Sequence, residues 1–451
     1  MLEVINMKLS VLVPIYNVAK YLNQCLDSLH AQTMDDMEIL CLNDGSTDES
    51  QDIIEEYLKL DNRFKLISKP NTGYGNTMNV GLDNAKGQYI AIVESDDFIA
   101  PKMMEDMVNM IESSKADLVK GAFLLYTEFT KNSEKANLIY NYPYEKIINP
   151  MDYAQIFLEM QSIWSAIYSA EFIRKYDIRF NETPGASFQD VSFAFKVYAN
   201  AKKIMLTNNA YYFYRTSNPN SSVKMVSKLD KLCGEINCIE KYIEERMDVR
   251  SLEPIASRLF FRILLENYYD SAPAYQYAFL QEITNRLHIY DNRGDFAASI
   301  WDAEAVAIAH EILKDKDAFY KKTGKKIFDS RLWRGTMNAS VYKDAILTKV
   351  TSYENIVLYG AGVVGSKVKD DLVNRGVQKL QLTFAVTLKS DNQDENDGIP
   401  VKQIDEFKGS GDNTIFIITV KEEKQYEMLQ NLQRLGIENV LFLSDEVRYS
   451  L

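Results

Sequence analysis

The sequence predicts an α/β protein. It should have a mostly parallel sheet flanked by helices, a helical connector and a small C-terminal α/β domain. Three observations predict this. Short apolar runs alternate with helical spacing from Lys8 to Val93, with short connections between them. Polar clusters sit at the carboxyl ends of those runs, where sheets of this kind bind ligands. After Glu354 a strand, a glycine-bearing turn and a helix begin the alternation again.

Lys8 to Asn17 reads KLSVLVPIYN. Leu9, Val11, Leu12 and Val13 make the first strand, and Pro14, which has no N–H, should end its ladder. Val18 to Gln32 carries Val18, Tyr21, Leu22, Cys25, Leu26 and Leu29 at helical spacing. Glu38 to Leu42 is a second strand that runs into Asn43, Asp44, Gly45, Ser46, Thr47 and Asp48, a turn-forming stretch with N-cap candidates. Glu49 to Leu60 is helical and Phe64 to Ser68 is a third strand. Asn71 to Gly75 is a glycine-bearing loop and Asn76 to Ala85 a helix.

The fourth strand, Tyr89 to Val93, is a continuous apolar run, as expected of a strand buried on both faces. Glu94, Ser95, Asp96 and Asp97 follow at once. Carboxylates this close repel one another unless a cation neutralises them. Such a cluster can hold one hard divalent ion against a diphosphate. It can equally be a solvated acidic turn that caps the helix beginning at Pro101.

The 451 residues leave room for about two or three domains. The apolar fraction of 46% is enough for a substantial core, and the net charge of −13 argues against nucleic acid as a partner. No apolar run approaches the ~20 residues of a membrane span, and the N-terminus lacks a signal-peptide pattern. Cys25, Cys41, Cys233 and Cys238 form no CxxC pair and are expected to be reduced thiols of a cytoplasmic protein. Three histidines are too few for a histidine-based metal site, so any metal should be oxygen-ligated.

VPIYN, NDGSTDES, KPNTGYGNTMNVGLDNAKGQYI and VESDD, in that order and spacing, resemble the nucleotide-binding half of a family 2 glycosyltransferase with the GT-A fold. The resemblance implies that Pro14, Tyr16 and Asn17 flank the base and that Asp44 accepts a hydrogen bond from it. An acceptor-only carboxylate suits the imide N–H of uracil. The resemblance also implies that Gly73, Asn79, Glu94 and Asp96 bind the nucleotide sugar, and that Asp96 and Asp97 hold Mn²⁺ or Mg²⁺. A metal bridging two phosphates stabilises a departing nucleoside diphosphate. The family usually has Asp where Glu94 stands, so this chain departs from the family at the ribose position.

Pro101 to Ser114 is a helix, Asp117 to Gly121 a strand, Tyr126 to Pro150 irregular and Met151 to Met160 a helix. The later order, with Trp164, Gln189-Asp190 and the aromatic run Tyr211 to Arg215, is similar to the acceptor half of the same family. There a Trp-bearing segment lines the pocket and an Asp heading a helix acts as base. Asp190 aligns with that base, and Trp164, Gln189 and Arg215 fall in the acceptor and sugar pocket. The family usually has an acid where Gln189 stands. Loss of that like charge should lower the Asp190 pKa. Taken alone, Asp190 could be only a helix N-terminal carboxylate, and Trp164 only a core residue. Arg215 could clamp phosphate or pair with a surface acid.

Residues 1–222 therefore read as one GT-A domain, with a nucleotide half at 1–120 and an acceptor half at 121–222. Residues 223–350 read as helices at ordinary core spacing, Leu229 to Val249, Glu253 to Tyr269, Tyr275 to Leu287 and Asp302 to Thr323. Residues 351–451 read as a small Rossmann-like domain. Its strands are Asn355 to Tyr359, Leu382 to Val386, Thr414 to Val420 and Val440 to Leu443, with Gly360, Gly362 and Gly365 in G-x-G-x-x-G spacing. It resembles small domains appended to some bacterial sugar-processing enzymes. Thr387, Leu388 and Lys389 stand where a ribose-binding acid should be, so the glycines are read as packing residues.

The resemblance implies inverting, metal-dependent transfer from a nucleotide-diphosphate sugar, with uridine as the expected base. The acceptor it implies is a glycan or lipid-linked glycan of a bacterial surface polysaccharide. Such an acceptor would bring the chain to the inner face of a membrane as a peripheral partner; homo-oligomer formation stays open. Two other readings stay open. A nucleotidyltransferase acting on a sugar phosphate would also set carboxylates at a sheet edge, but no basic glycine-rich loop follows Leu9 to Val13. A non-catalytic sugar-nucleotide sensor would bind without turnover.

Overall fold

The structure is a computed structural model that describes residues 7–126, 133–136, 142–216, 218, 229–271, 273–324, 350–351, 353–411, 413–420, 422–437 and 439–442. Leu443, the expected end of the last strand, and the 222/223 boundary lie outside the described residues, as does most of the connector beyond 324. The chain divides into two compact units, Met1–Phe260 and Phe261–Leu451. The division falls inside the helix Glu253–Asp270. Among the described residues no helix is long and apolar enough to cross a membrane.

The first unit is built on β1 (Leu9–Ile15), which is buried along its whole length. It pairs in parallel with β2 (Met37–Asn43) on one side and β4 (Tyr89–Ile92) on the other. β3 (Phe64–Ser68) extends the sheet beyond β2. β1 runs past Pro14 instead of ending there, with Pro14 opposite Leu42. Leu12 accepts the Val93 N–H on the β4 side, so Pro14, two residues on, faces that side too. The β1–β4 ladder stops at Leu12. The missing proline N–H therefore falls where no partner is needed.

The connecting helices are α1 (Ala19–His30), α2 (Ser50–Leu60) and α3 (Tyr74–Asn84). Tyr21, Leu22, Cys25, Leu26 and Leu29 of α1 are buried, as their spacing requires. After the short β5 (Phe98–Ile99) and α4 (Met103–Ser114) comes β6 (Leu118–Tyr126), longer than its apolar start suggests. β7 (Ser133–Ala136) and β8 (Ile147–Ile148) pair at the side of the sheet. The expected helix over 151–160 is only a 3₁₀ turn and one short turn, α5 (Ile156–Glu159). β9 (Ala166–Ser169) leads to α6 (Ala170–Lys175). Then come α7 (Gln189–Asn200), β10 (Ile204–Arg215) and α8 (Leu229–Glu244).

Strand order is β3-β2-β1-β4-β9-β6-β10-β5. The sheet is mostly parallel, with β9 antiparallel to both β4 and β6, and β5 antiparallel to β10. β9 thereby joins the two halves of the unit in one sheet.

The second unit holds a smaller sheet. Asn355–Tyr359 lies at its centre, parallel to Leu382–Val386 and Thr414–Ile418. Gly360 has φ +125° and a side chain at Gly365 would meet Gly360 O at 1.9 Å, so both are required by the strand–helix turn. A side chain at Gly362 would meet nothing within 4 Å, and packing does not explain that glycine.

Candidate active site

The carboxyl ends of β1, β2 and β4 are joined by side chains. Asn17, at φ 49°, accepts the Thr47 N–H on Oδ1 at 2.7 Å, and its own N–H donates to Ser46 Oγ at 3.1 Å. Beside it Tyr16 is 51% exposed, while Pro14 is buried in the strand. Asp44 is buried. Its Oδ1 accepts Thr72 N–H and its Oδ2 accepts Gly73 N–H, both at 3.0 Å, and the Lys69 ammonium also donates to Oδ1. Asp44 thus orders the 71–75 loop, with its charge offset by Lys69.

Gly73 has φ +95° and heads α3. A Cβ there would lie 2.9 Å from Gly185 N, and one on Gly75 would lie 2.0 Å from Asn181 O. Both glycines are needed because the 181–187 loop presses against this turn. Tyr74 N–H donates to Gly185 O at 3.0 Å. Asn79, expected at the nucleotide sugar, is only 8% exposed. Its amide donates to Phe180 O and Glu182 Oε1 and accepts Phe180 N–H, so it anchors the same loop.

Glu94 to Asp97 lie between β4 and β5. Glu94 Oε1 accepts the Tyr74 hydroxyl at 2.7 Å. Burial lifts the Glu94 carboxyl to about 8 despite that bond, and the Asp96 and Asp190 charges add to the rise. Asp96 is half-buried, and its Oδ2 accepts Asn218 Nδ2 at 2.8 Å. Asp97, expected beside it as a metal ligand, is 1% exposed. Its Oδ2 accepts the Tyr212 hydroxyl and its Oδ1 accepts Arg215 N–H, at 2.9 and 2.7 Å. That is the geometry of an anchor for the turn.

Arg215 is 2% exposed, so the alternative of a surface ion pair is excluded. Its Nε donates to Asp96 O at 2.6 Å and its guanidinium lies over Tyr21, Tyr126 and Phe98. Trp164 is half-buried and stacks on Tyr212 and Tyr214, with centroids at 4.2 and 5.3 Å.

Asp190 opens α7 behind Phe188, which has φ 64°. Its Oδ1 accepts Val191 N–H at 3.0 Å. The expected fall in its pKa is corrected: burial raises it to about 6, against the lowering effect of the Val191 N–H and its own. Removal from water disfavours the charged carboxylate, and this outweighs the missing like charge. Gln189 is 2% exposed and clamps the loop before it. Its Oε1 accepts Ser187 N–H at 2.6 Å and its Nε2 donates to Thr183 Oγ1 at 2.9 Å and Gly185 O at 3.2 Å. A glutamate could not make those donations.

The structure thus links Asn17, Asp44, Gly73, Glu94, Asp96 and Asp190 around one sheet edge. It places Pro14, Asn79, Asp97, Gln189 and Arg215 behind them as supports. Reading the sequence alone missed Lys69, Tyr74 and Tyr212. Tyr74 sits inside the quoted third motif and Tyr212 at an inward strand position, but only tertiary pairing shows their partners.

A divalent cation bound through phosphates needs only one or two protein carboxylates. Asp96 fits that need, since its Oδ1 has no hydrogen-bond partner among the described residues. No cluster of three or more potential metal ligands occurs among the described residues.

The model of Glycosyl transferase family 2 matches residues 10–175. The glycosyltransferase GlyG of Streptococcus pneumoniae is 31% identical over 215 residues, which are 46% of this chain and 70% of GlyG. The putative glycosyltransferase EpsH of Bacillus subtilis is 34% identical over 210 residues, 46% of this chain and 60% of EpsH. The chain spans 30% of the S. pneumoniae glycosyltransferase GlyA and 64% of B. subtilis EpsJ. Among solved structures, S. aureus TarS 1–349 in complex with UDP-GlcNAc superposes with a TM-score of 0.54 at 21% identity, covering 74% of this chain and 96% of that one. That likeness is one of fold.

Proposed function

The chain belongs to glycosyl transferase family 2, and from that premise we propose that it transfers a sugar from a UDP-sugar to a hydroxyl of a glycan or lipid-linked glycan, with inversion. The carrying observation is the 181–187 loop, which packs on the Gly73–Gly75 turn at one end and leads into Asp190 at the other. A donor seated over Asp44 and the Gly73 turn would lie next to the half-buried carboxylate of Asp190, whose pKa of about 6 leaves it ionised at neutral pH.

In this reading exposed Tyr16 covers the base, and Asp44 presents its carboxylate to the imide while holding the 71–75 loop. Glu94, tied to Tyr74, borders the donor. Asp190 takes the proton from the acceptor hydroxyl as that oxygen attacks the anomeric carbon from the side opposite the diphosphate. Trp164, held by Tyr212 and Tyr214, forms the acceptor wall. Mn²⁺ or Mg²⁺ held by Asp96 would supply charge stabilisation at the leaving diphosphate. Arg215 keeps Asp96 in place through its carbonyl. Residues 1–260 form the transfer unit, and the small α/β domain that follows lies outside the chemistry.

A thermal-shift panel of UDP-, GDP- and dTDP-sugars, with and without Mn²⁺, tests the donor. The expected result is a shift for uridine nucleotides that grows with Mn²⁺. Product analysis should then give a glycoside and UDP. Release of pyrophosphate, or binding without turnover, would overturn the proposal.

A further inference from the structure

The helix α8 begins beyond the residues matched by the family model, yet it reaches the loop that carries the base. Glu235 on α8 is fully buried. Its Oε1 accepts Asn181 Nδ2 at 2.9 Å and lies 3.4 Å from the Thr183 hydroxyl. Asn181 Nδ2 also reaches Gly234 O at 3.5 Å. Thr183 Oγ1 in turn accepts from Gln189 Nε2, and Gln189 is the residue before Asp190. One carboxylate therefore ends a chain of side chains that runs Glu235, Asn181 and Thr183, Gln189, and so to the head of α7.

A fully buried acid is costly unless its charge is offset, hydrogen-bonded or neutralised by a proton. No salt bridge to Glu235 occurs among the described residues. Glu235 Oε2 has no hydrogen-bond partner among them either. Burial lifts this carboxyl to about 7; the Ser192 and Asn181 side chains and Lys196 lower it, and the Asp190 charge raises it further. An apolar residue at this point of α8 would leave the Asn181 amide only its long 3.5 Å contact to Gly234 O. The loop it holds packs so closely on Gly75 that an added Cβ there would meet Asn181 O at 2.0 Å, so the loop has little room to shift toward the donor turn.

We propose that Glu235 is a positioning residue for the reaction: by holding Asn181 and Thr183 it fixes the 181–189 loop and with it the direction of Asp190. The proposal rests on the reading of Asp190 as the base. It makes α8 part of the catalytic unit.

The experiment uses the full-length chain and steady-state hydrolysis of UDP-N-acetylglucosamine, with UDP-glucose and UDP-galactose run beside it. Glu235→Ala should lower kcat by about tenfold to a hundredfold, the scale expected for a base displaced by about an ångström. Glu235→Gln keeps an oxygen for Asn181 and should recover kcat to within about threefold of the parent. Asn181→Ala cuts the same link from the loop side. The double variant Asn181→Ala/Glu235→Ala should be no slower than the worse single one. If Glu235→Ala does not fold, Asn181→Ala alone carries the test.

Parental kcat in both Glu235→Ala and Asn181→Ala overturns the positioning role, and so does a change confined to donor KM. If Glu235→Gln is as inactive as Glu235→Ala while Asp190→Asn turns over, Glu235 is itself the base and the assignment of Asp190 fails. No hydrolysis of any of the three donors by the parent chain removes the donor reading on which the proposal stands.

Discussion

Tyr212 and Asp97 are 115 residues apart and share a hydrogen bond of 2.9 Å, both of them buried. The same phenol oxygen accepts the Glu94 N–H at 3.0 Å. One side chain from β10 therefore ties both ends of the acidic turn after β4. Tyr212→Phe should leave a buried N–H and a buried carboxylate oxygen each short of a partner. We expect a loss of about 1–3 kcal/mol, read from urea unfolding. An unchanged midpoint would mean that the turn holds itself.

Asp96 and Asp97 should behave differently when changed. Asp97 serves the turn, whereas Asp96 is half-buried and its Oδ1 has no hydrogen-bond partner among the described residues. Asp96→Asn should fold with parental stability and lose the Mn²⁺-dependent part of UDP affinity, about tenfold or more by calorimetry. Asp97→Asn should instead lower stability first. Equal Mn²⁺ enhancement in the parent and in Asp96→Asn would remove Asp96 as the metal residue.

Much of the first unit was legible in the sequence because its apolar runs and turn residues are local signals. The run Tyr89 to Val93 reads as a buried strand and Asn43 to Asp48 as a turn; β4 ends at Ile92 and β2 runs on through Asn43. The second half was less legible. β9 is four residues long and gains its place by pairing antiparallel with both β4 and β6, a long-range event. Met151 to Met160 has helical spacing but shows only short turns. At the site, residue types gave the acidic edge but not the division of labour. That Asn79 holds a loop and Asp97 an N–H depends on partners about a hundred residues away.

Asp190 makes the rate depend on pH in a definite direction. Its carboxyl titrates near 6, raised by burial, and only the ionised form can accept a proton. kcat should therefore rise with pH, reach half its plateau near pH 6 and level off above it. Asp190→Asn keeps the shape and the capping ability of the residue. It should cut transfer by about two to four orders of magnitude and abolish the acidic limb, with UDP affinity little changed. A limb that persists in Asp190→Asn would place the base elsewhere.

Lys120 on β6 gives a stability test away from the chemistry. It is 2% exposed, and its ammonium donates to Ser162 O, to Ser162 Oγ at 2.8 Å and to Ser165 Oγ at 2.9 Å, with no carboxylate among these partners. Those acceptors flank Trp164 in the same turn. Burial lowers the Lys120 pKa from 10.5 to about 7. Between those values the unfolded chain holds a proton that the folded chain does not. Unfolding therefore takes up a proton there, and stability rises with pH across that window. From pH 7 to pH 9 the contribution is on the order of 2 kcal/mol. Lys120→Met has no such proton. Its stability relative to the parent should fall as pH rises from 7 to 9 and level off once pH drops below the folded value, where both states carry the proton. Urea midpoints measured at several pH values decide the matter: parallel curves for the two proteins would show that Lys120 keeps its charge in the folded state, held by the three serine oxygens.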